Sequence, residues 1–265
     1  MAITALHTAA TGMQALSTKI DVIANNIANA DTVGFKASRV NFEDLLYQMR
    51  TQPGIQTGTE SASPLGTQIG LGVGLSNTQV MFNQGSAMPG GNLDAMIEGD
   101  GFFEVQLPNG QIGYTRAGNW VRNSDGKLVL GNTFGYPMKD SPSIPQDVAG
   151  DKISISSDGK VSATGTDAKV TEYGQIKMAR FVNPAGLLQS GANVFTESAA
   201  SGTPIEGNPG ESGLGLIKPG NLELSATEAV TELVELIKTQ RVFQMNSQSI
   251  QSADQALQVV ANLRQ

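Results

Sequence analysis

The stretch DVIANNIANADTVGFK, residues 21–36, decides how the N-terminal part of this chain is interpreted. Upstream of it and through it, apolar residues recur at alternating steps of three and four, an a/d heptad pattern that runs over about four heptads. The positions are Leu6, Ala9, Met13, Leu16, Ile20, Ile23, Ile27 and Ala30. This pattern predicts an N-terminal helix with a single apolar seam, and Gly34 is placed to end the helix or the turn after it.

The same stretch carries three asparagines, which are mediocre helix formers because their amides compete for backbone hydrogen bonds. With Ile20 and Ile27 at position a, Asn25 falls at f, Asn26 at g and Asn29 at c. They are therefore predicted to form an amide patch away from the seam. That patch is either a solvated face or an assembly surface in which amides fix the register between chains; the sequence leaves both open.

The C-terminal segment repeats the helical pattern. Residues 227–263 contain neither Gly nor Pro, and apolar residues recur there every seven positions, at Leu236, Phe243, Ile250 and Leu257. This predicts a second long helix with its own seam.

The middle of the chain holds nearly all of the Gly and Pro, with short apolar runs separated by Asn-Gly and Asp-Gly turn dipeptides. Such runs are typical of β-hairpins. The predicted fold class is therefore α+β: N- and C-terminal helices form a coiled-coil-like core, with an inserted all-β domain and an extended linker arm. We expect a core helix over 1–33, the linker and arm over 34–84, the β domain over 85–205, a return linker over 206–225 and the second core helix over 226–265.

Two helices cannot cover all sides of their own apolar seams, and an exposed apolar surface of this kind is typical of an assembly interface. We therefore expect self-association through the ends of the chain. The alternative, in which both helices pack onto the β domain, stays open. Arg241 lies beside Phe243 on a helix that is otherwise expected to be buried, and we favour its pairing with a carboxylate of a neighbouring chain over a solvated position.

Composition excludes several classes of function. The net charge is −7, 15% of residues are charged and there are no cysteines. Without clustered Lys and Arg, a nucleic-acid groove is not expected. The first lysine is Lys19, so the chain shows no positively charged signal-peptide region, and we expect either a cytoplasmic protein or one exported without a cleaved signal peptide.

No motif indicates catalysis, so we expect no enzyme, cofactor, metal or small-molecule substrate. The glycines at 70–74 are spaced GxGxG rather than GxGxxG, and no Lys-Ser or Lys-Thr pair follows. Glu98 and Asp100 flank a glycine in an ordinary turn before a strand. His7 is the only histidine, which leaves no second imidazole for a metal.

Four segments, which together span essentially the whole chain, resemble bacterial flagellar rod and hook proteins. They are DVIANNIANADTVGFK at 21–36, FEDLLYQ at 42–48 with QPG at 52–54 and GTQIGLGV at 66–73, GDGFFEV at 99–105 with YTRAG at 114–118, and ELVELIKTQRVFQMN at 232–246. One departure is LELSATE at 222–228, which lacks the Asn-Val that usually follows the serine.

The resemblance implies that the chain is exported through the flagellar type III apparatus and polymerises helically into a hollow axial tube, with the terminal helices inside and the β domain outside. The second of these segments is most similar to the distal-rod members, which transmit torque from motor to hook in the basal body. The implied partners are further copies of the chain, the proximal rod, the hook, the ring bushing proteins of the outer envelope and the export apparatus. Nucleic acid is not among them.

Two sets of residues are candidates for assembly. The core-helix set is Leu6, Met13, Leu16, Ile20, Ile23, Asn25, Asn26, Ile27, Asn29, Leu236, Arg241, Phe243, Ile250 and Leu257. The resemblance implies a rod-type arm, associated with a straight, stiff rod, that includes Phe42, Leu45, Leu46, Tyr47 and Pro53. Alternative functions are a proximal-rod or hook-type axial subunit, or a secreted β-rich adhesive or binding protein whose ends form a closed bundle of a few chains.

Overall fold

The computed structural model describes residues 2–52, 65–165 and 170–262. Helix α1 spans Ala2–Ala28 and helix α2 spans Ala229–Asn262, and the region between them is rich in strands. The prediction of an N-terminal helix, a C-terminal helix and a β-rich middle is confirmed. Gly34 follows α1 by several residues and has φ +70, so it shapes the turn after the helix. Residues 53–64, which include Pro53 of the predicted arm, lie outside the described residues.

The chain divides into two compact units. The helical unit comprises the described parts of 1–27, 38–79 and 229–265, and the β unit comprises 28–37 and 80–228. Beside the helices, the helical unit contains four strands: β1 (Ser38–Asp44), β2 (Tyr47–Thr51), β3 (Thr67–Gly70) and β4 (Val73–Val80, whose last residue falls in the β unit). Strand β1 pairs with β4, and β2 pairs antiparallel with β3.

The strands of the β unit are short. They are β5 (Ala87–Pro89), β6 (Ala95–Glu98), β7 (Phe102–Gln106), β8 (Ile112–Thr115), β9 (Trp120–Arg122), β10 (Leu128–Leu130), β11 (Ile153–Ile155), β12 (Lys160–Thr164), β13 (Val170–Gln175), β14 (Met178–Arg180), β15 (Leu188–Gly191), β16 (Val194–Thr196), β17 (Ile205–Gly207), β18 (Leu216–Pro219) and β19 (Asn221–Glu223). The main sheet has the order β15-β16-β8-β7-β14-β17; β11-β12-β13 form a second sheet, and β10-β9, β18-β6 and β19-β5 are pairs.

The stretch expected to be a return linker, 206–225, contains strands β18 and β19, and the compact β unit continues to residue 228. Ile217 and Leu222 are buried there, and Ile217 pairs with Ile97 across β18 and β6. These strands were not predicted because each is only three or four residues long and because the frequent Gly and Pro of this stretch indicate a loop.

The larger of two apolar clusters in the β unit surrounds Trp120, which is the only tryptophan of the chain and is 2% exposed. Its ring packs edge-to-face on Phe103 with centroids 5.4 Å apart. The smaller cluster is built on Phe102, Tyr114 and Phe181. Burial of one such side chain contributes roughly 1.5–3 kcal/mol. The β unit therefore has a core of its own.

One carboxylate is buried in the main sheet. Glu104 is 2% exposed, its Oε2 lies 3.0 Å from Lys139 Nζ, and the same Nζ lies 2.7 Å from Glu206 Oε1. Burial raises the pKa of Glu104 although Lys139 opposes the shift. Burial alone lowers the pKa of Lys139, but hydrogen bonds to Glu206 and Glu104 outweigh it and raise the pKa. Lys139 is thus held charged, whereas ionised Glu104 remains costly.

Candidate assembly site

The two terminal helices contact each other through polar side chains. Lys19 Nζ donates to Glu235 Oε1 at 2.5 Å, and Asn26 Nδ2 lies 3.5 Å from Glu232 Oε2. Later positions on α1 contact earlier positions on α2, so the helices run antiparallel. The hydrogen bond from Lys19 is the main cause that lowers the pKa of Glu235. Because both side chains are partly exposed, this pair contributes only about 0.2–1 kcal/mol.

A third contact extends the same register. A Cβ added at Gly12 would lie 3.1 Å from Asn246 Nδ2, so the absence of a side chain at position 12 allows close approach. From 12 to 26 on α1 and from 246 to 232 on α2, the contacts span equal lengths of helix. Leu257, which lies beyond these contacts toward the end of α2, is 37% exposed.

The predicted seams are only partly covered within one chain. Ile23 is 4% exposed. The other apolar seam residues of the candidate set that lie before Leu257 are half-buried: Leu6, Met13, Leu16, Ile20 and Ile27 on α1, and Leu236, Phe243 and Ile250 on α2.

A second apolar surface lies on α2, opposite the face that contacts α1. With 3.6 residues per turn, its members fall on one line along the helix. We call it the outer stripe; each member is between 43% and 69% exposed: Val230, Val234, Ile237, Met245 and Val259. Arg241 belongs to the same line, is exposed, and forms no ion pair with any residue that the structure describes.

The structure separates the three asparagines. Asn26 is 2% exposed, and its amide spans the backbone of Ser38: Nδ2 donates to the carbonyl oxygen at 2.8 Å, and the Ser38 N–H donates to Oδ1 at 3.0 Å. Asn29 is half-buried and accepts from Thr32 through its own carbonyl and Oδ1, at 3.1 and 3.2 Å. Asn25 is exposed. Asn26 therefore fixes the start of β1 against α1, a role that the sequence pattern does not reveal.

Of the arm residues that the structure describes, Leu45 lies beside α1 and the others are exposed. Leu46 is 82% exposed, Tyr47 58% and Phe42 38%, whereas Leu45 is half-buried in a cavity of about 290 Å³ that Thr11 and other residues of α1 line. The Leu45 N–H donates to the carbonyl of Gly72 at 2.9 Å.

The backbone of this arm passes very close to α1. Gly72 has φ +123, and a Cβ there would collide with Thr11 Oγ1. The neighbouring Leu71 carbonyl lies 3.1 Å from His7 Nδ1. The GxGxG run thus serves close packing of backbone on a helix.

In the β unit, the end of the signature stretch is anchored by a buried ion pair. Lys36 Nζ donates to Glu223 Oε1 at 2.6 Å and to the Asn83 carbonyl at 2.7 Å, and both charged side chains are 0% exposed. The Gly85 N–H also donates to Glu223 Oε1, at 3.0 Å. Burial lowers the pKa of Lys36, against the attraction of Glu223. The Gly34 N–H donates to the Glu223 carbonyl at 2.8 Å, so backbone and side chain hold the same turn.

Sequence reasoning did not find this pair, because its two residues are 187 positions apart. The available signal is a lysine that ends an apolar stretch, at VGFK. Arg116 of the YTRAG motif lies beside the pair, with Nη1 3.8 Å from Glu223 Oε2 and its guanidinium carbon 5.2 Å from the centre of the Phe102 ring. Burial lowers the pKa of Arg116 despite Glu223 and Asp100.

Within the described ranges, the structure brings together no group of three or more His, Cys, Asp or Glu side chains that could hold a metal ion. In the same ranges no helix has both the length and the apolarity needed to cross a membrane. Glu98 and Asp100, which flank the glycine of the turn before β7, are both exposed.

Comparison with known families gives three matches in chain order. Residues 6–36 match the family described as flagella basal body rod protein, residues 96–163 match the flagellar hook protein FlgE/F/G D1 domain, and residues 218–263 match the flagellar basal body rod FlgEFG protein C-terminal region.

Full-length relatives agree with these matches. Flagellar basal-body rod protein FlgG of Borreliella burgdorferi is 41% identical over 98% of both chains. The proteins of the same name from Caulobacter vibrioides and Bacillus subtilis are 40% identical, over 98% of this chain and 99% of theirs, and 38% identical, over 98% of both. The chain belongs to the flagellar basal-body rod protein family. Within the flagellum it is a structural subunit of the distal rod and serves motility.

Proposed function

We propose that the chain polymerises helically into the hollow driveshaft that transmits torque from the motor to the hook, with its terminal helices as a coiled-coil-like core. The observation that carries this proposal is the outer stripe of α2, which lies opposite the face toward α1 and has no cover within the described chain. In the proposed polymer, a second copy covers the stripe through a different surface rather than through its own stripe. Such a heterologous contact repeats without closing and produces a helical filament.

The energy available from this surface contributes to assembly. Each fully buried Val, Ile or Met contributes roughly 1.5–3 kcal/mol. The five side chains of the stripe are about half exposed, so burying what remains contributes roughly 4–8 kcal/mol. Together with the half-buried seams, this is comparable with the roughly 4–15 kcal/mol that association costs in lost freedom of motion. The stripe also explains Arg241: a cation within an apolar contact is favourable when a carboxylate of the neighbouring copy pairs with it.

The exposed part of the arm adds a second surface. Leu46, Tyr47 and Met49 are each more than half exposed on β2 and the residues before it. Phe42, Leu45, Leu46, Tyr47 and the residues that continue to Pro53 form the rod-type arm of this proposal, and Asn25, Asn26 and Asn29 stay with the assembly set. For Asn26 the role is indirect, since its amide positions β1.

The same proposal gives the partners and the route. The subunit contacts the proximal rod and the hook at the ends of the distal rod and the ring bushing proteins along it, and it leaves the cell through the type III apparatus without cleavage of a signal peptide. It performs no catalysis and needs neither cofactor nor nucleic acid. The proposed domains are the core helices over 1–33 and 226–265, the linker and arm over 34–84, and the β domain over 85–205, to which the stretch 206–225 with its strands β18 and β19 is joined.

The test is the pair of substitutions Val234→Asp and Ile237→Asp in a motile cell. We expect non-motile cells without distal rods, while the secreted subunit keeps the fluorescence of Trp120 because the β unit is unaffected. The matched control is Val121→Asp, an exposed apolar residue of β9 that is not part of the stripe. Normal rods in the double variant, or closed bundles of a few wild-type chains in electron micrographs, would refute the polymer.

The seams are tested separately by Ile20→Asp with Ile27→Asp. Both residues are half-buried, and both lie on the face of α1 that the second helix covers only in part. We expect loss of the rod with a folded β unit. Motility equal to that of the parent strain would show that these seams do not contribute to assembly.

A further inference from the structure

The β unit contains a cavity of about 320 Å³ that combines aromatic walls with two arginines. Phe82, Phe102 and Phe181 form the walls, with ring centroids 5.2 and 6.0 Å apart in edge-to-face contacts. Arg116 and Arg180 line the same cavity. Neither arginine takes part in the assembly surfaces described above.

Both guanidinium groups have unused hydrogen-bond donors. The side chain of Arg116 is 4% exposed, and its Nε and Nη1 make no hydrogen bond with the described residues. Arg180 Nε is likewise buried without an acceptor in that part of the chain. A buried donor without a partner costs about 1–3 kcal/mol, and more when it is charged. Such groups persist where a ligand satisfies them.

The carboxylates nearby do not fill this need. Glu223 Oε1 is already bound by Lys36 and Gly85. Glu223 Oε2 forms an ion pair with Arg116 Nη1 at 3.8 Å, but this distance is too long for a hydrogen bond, and Oε2 makes no other hydrogen bond in the described structure. Asp100 lies at the cavity but is exposed, and it forms an ion pair with neither arginine in the described structure. With Lys36 balanced by Glu223, two guanidinium groups face a single carboxylate. The cavity is therefore a positive site on a chain whose net charge is −7.

We propose that this cavity binds the carboxylate of an acidic side chain that a second copy of the chain presents in the assembled rod. A guanidinium fork binds a carboxylate through two parallel hydrogen bonds, and the aromatic walls accept the methylene groups of its stem. The occupant is a second copy because the chain carries 24 acidic residues and meets many copies of itself in the rod. Val182, which is 82% exposed, marks the entrance. This inference rests on the proposed polymer.

The chemistry of the site is tested on the purified full-length subunit with N-acetyl-glutamate N-methylamide as probe and the glutamine analogue as control. We expect the glutamate probe to shift the side-chain N–H resonances of arginine in NMR spectra, and the glutamine analogue to leave them in place. Arg180→Gln should weaken binding by about tenfold or more, the loss of one charge-assisted hydrogen bond. Arg116 is left intact because it also neighbours Glu223. Equal effects of the two probes would overturn the proposal.

The source of the carboxylate is tested in isolated rods that carry Arg180→Lys. A carbodiimide joins the introduced amine to an adjacent carboxylate as an amide, with loss of water. We expect a covalent dimer on denaturing gels and a cross-link from position 180 to an acidic residue of another copy. Arg122→Lys is the matched control, because Arg122 binds the carbonyls of Pro145 and Val148 and lies outside the cavity.

The outcomes separate this site from the polymer itself. Rods that assemble but yield no dimer, or that link position 180 only to Asp100 of the same chain, overturn the site and leave the polymer intact. If Arg180→Lys prevents assembly, the NMR experiment with Arg180→Gln still decides whether the cavity accepts a carboxylate. A subunit that binds the probe but gives no dimer refutes the second copy as the source.

Discussion

Replacing Lys36 with methionine tests the buried ion pair that anchors the signature stretch. The substitution keeps the length of the side chain but leaves the Glu223 carboxylate charged and without its closest donor. Both side chains are 0% exposed, so no water compensates for the loss. Removing one partner of such a pair costs about 3–5 kcal/mol. We expect the lower part of that range, because the Gly85 N–H remains 3.0 Å from Glu223 Oε1.

The assay is urea unfolding of the full-length chain, followed by the fluorescence of Trp120. That residue is the only tryptophan and is buried in the same unit as the ion pair, so its signal reports the affected core. The matched control is Lys160→Met, which removes an exposed lysine 3.8 Å from Glu172. We expect the free energy of unfolding of the control to change by less than about 0.5 kcal/mol.

A double-mutant cycle decides whether the cost comes from the pair. Lys36→Met combined with Glu223→Gln removes both charges, so the double variant should lose at least about 1 kcal/mol less than the sum of the single variants. The reasoning is refuted if Lys36→Met lowers the free energy of unfolding by less than about 1 kcal/mol, a limit close to the error of extrapolation to water. Strict additivity of the two substitutions would refute it as well.

The remaining predictions concern one asparagine, one glycine and one carboxylate. Asn26→Ala should remove the hydrogen-exchange protection of the amide of β1 that donates to its side chain, whereas Asn25→Ala, at an exposed neighbour, should not; equal protection in both would contradict the bridge. Gly34→Ala should lower the temperature of thermal unfolding more than Gly110→Ala does. Both glycines have positive φ, at +70 and +80, but only at Gly34 would a Cβ lie 2.5 Å from a backbone nitrogen. The folded protein holds the Glu104 proton to a higher pH than the unfolded protein, so the free energy of unfolding falls as pH rises from 4.5 through the raised pKa of Glu104. Glu104→Gln should flatten this dependence on pH in unfolding titrations. An unchanged slope would be evidence against the raised pKa.

Local patterns in the sequence were sufficient for the overall class of fold. Heptad spacing predicts α1 and α2 because a helix repeats its faces every few residues, and that signal needs no knowledge of the partner. The turn dipeptides predict a β-rich middle for the same local reason. Strands β18 and β19 were not predicted, because runs of three or four residues between glycines and prolines are too short to show a periodic pattern.

The details of the candidate site depend on contacts between distant residues. The position of Asn26 on the helical wheel predicts an amide that points away from the seam. In the structure, the backbone of Ser38 accepts a hydrogen bond from its Nδ2 and donates one to its Oδ1. Lys36 and Glu223 show the same limitation, since neither has a distinctive local pattern. The outer stripe of α2 was missed for another reason: the seven-residue repeat at Leu236, Phe243 and Ile250 marks one face of the helix, whereas Val230 and Ile237 lie on the opposite face.

The antiparallel contact of α1 with α2 joins residues that are 216 positions apart, at Lys19 and Glu235. The first helix of a growing chain therefore packs on the arm early, but it lacks α2 until almost the last residues have been made. A chain cut short before residue 229 lacks α2 and cannot form this contact. In the proposed polymer, placing the two helices at opposite ends of the chain would therefore make completeness a condition for joining the rod.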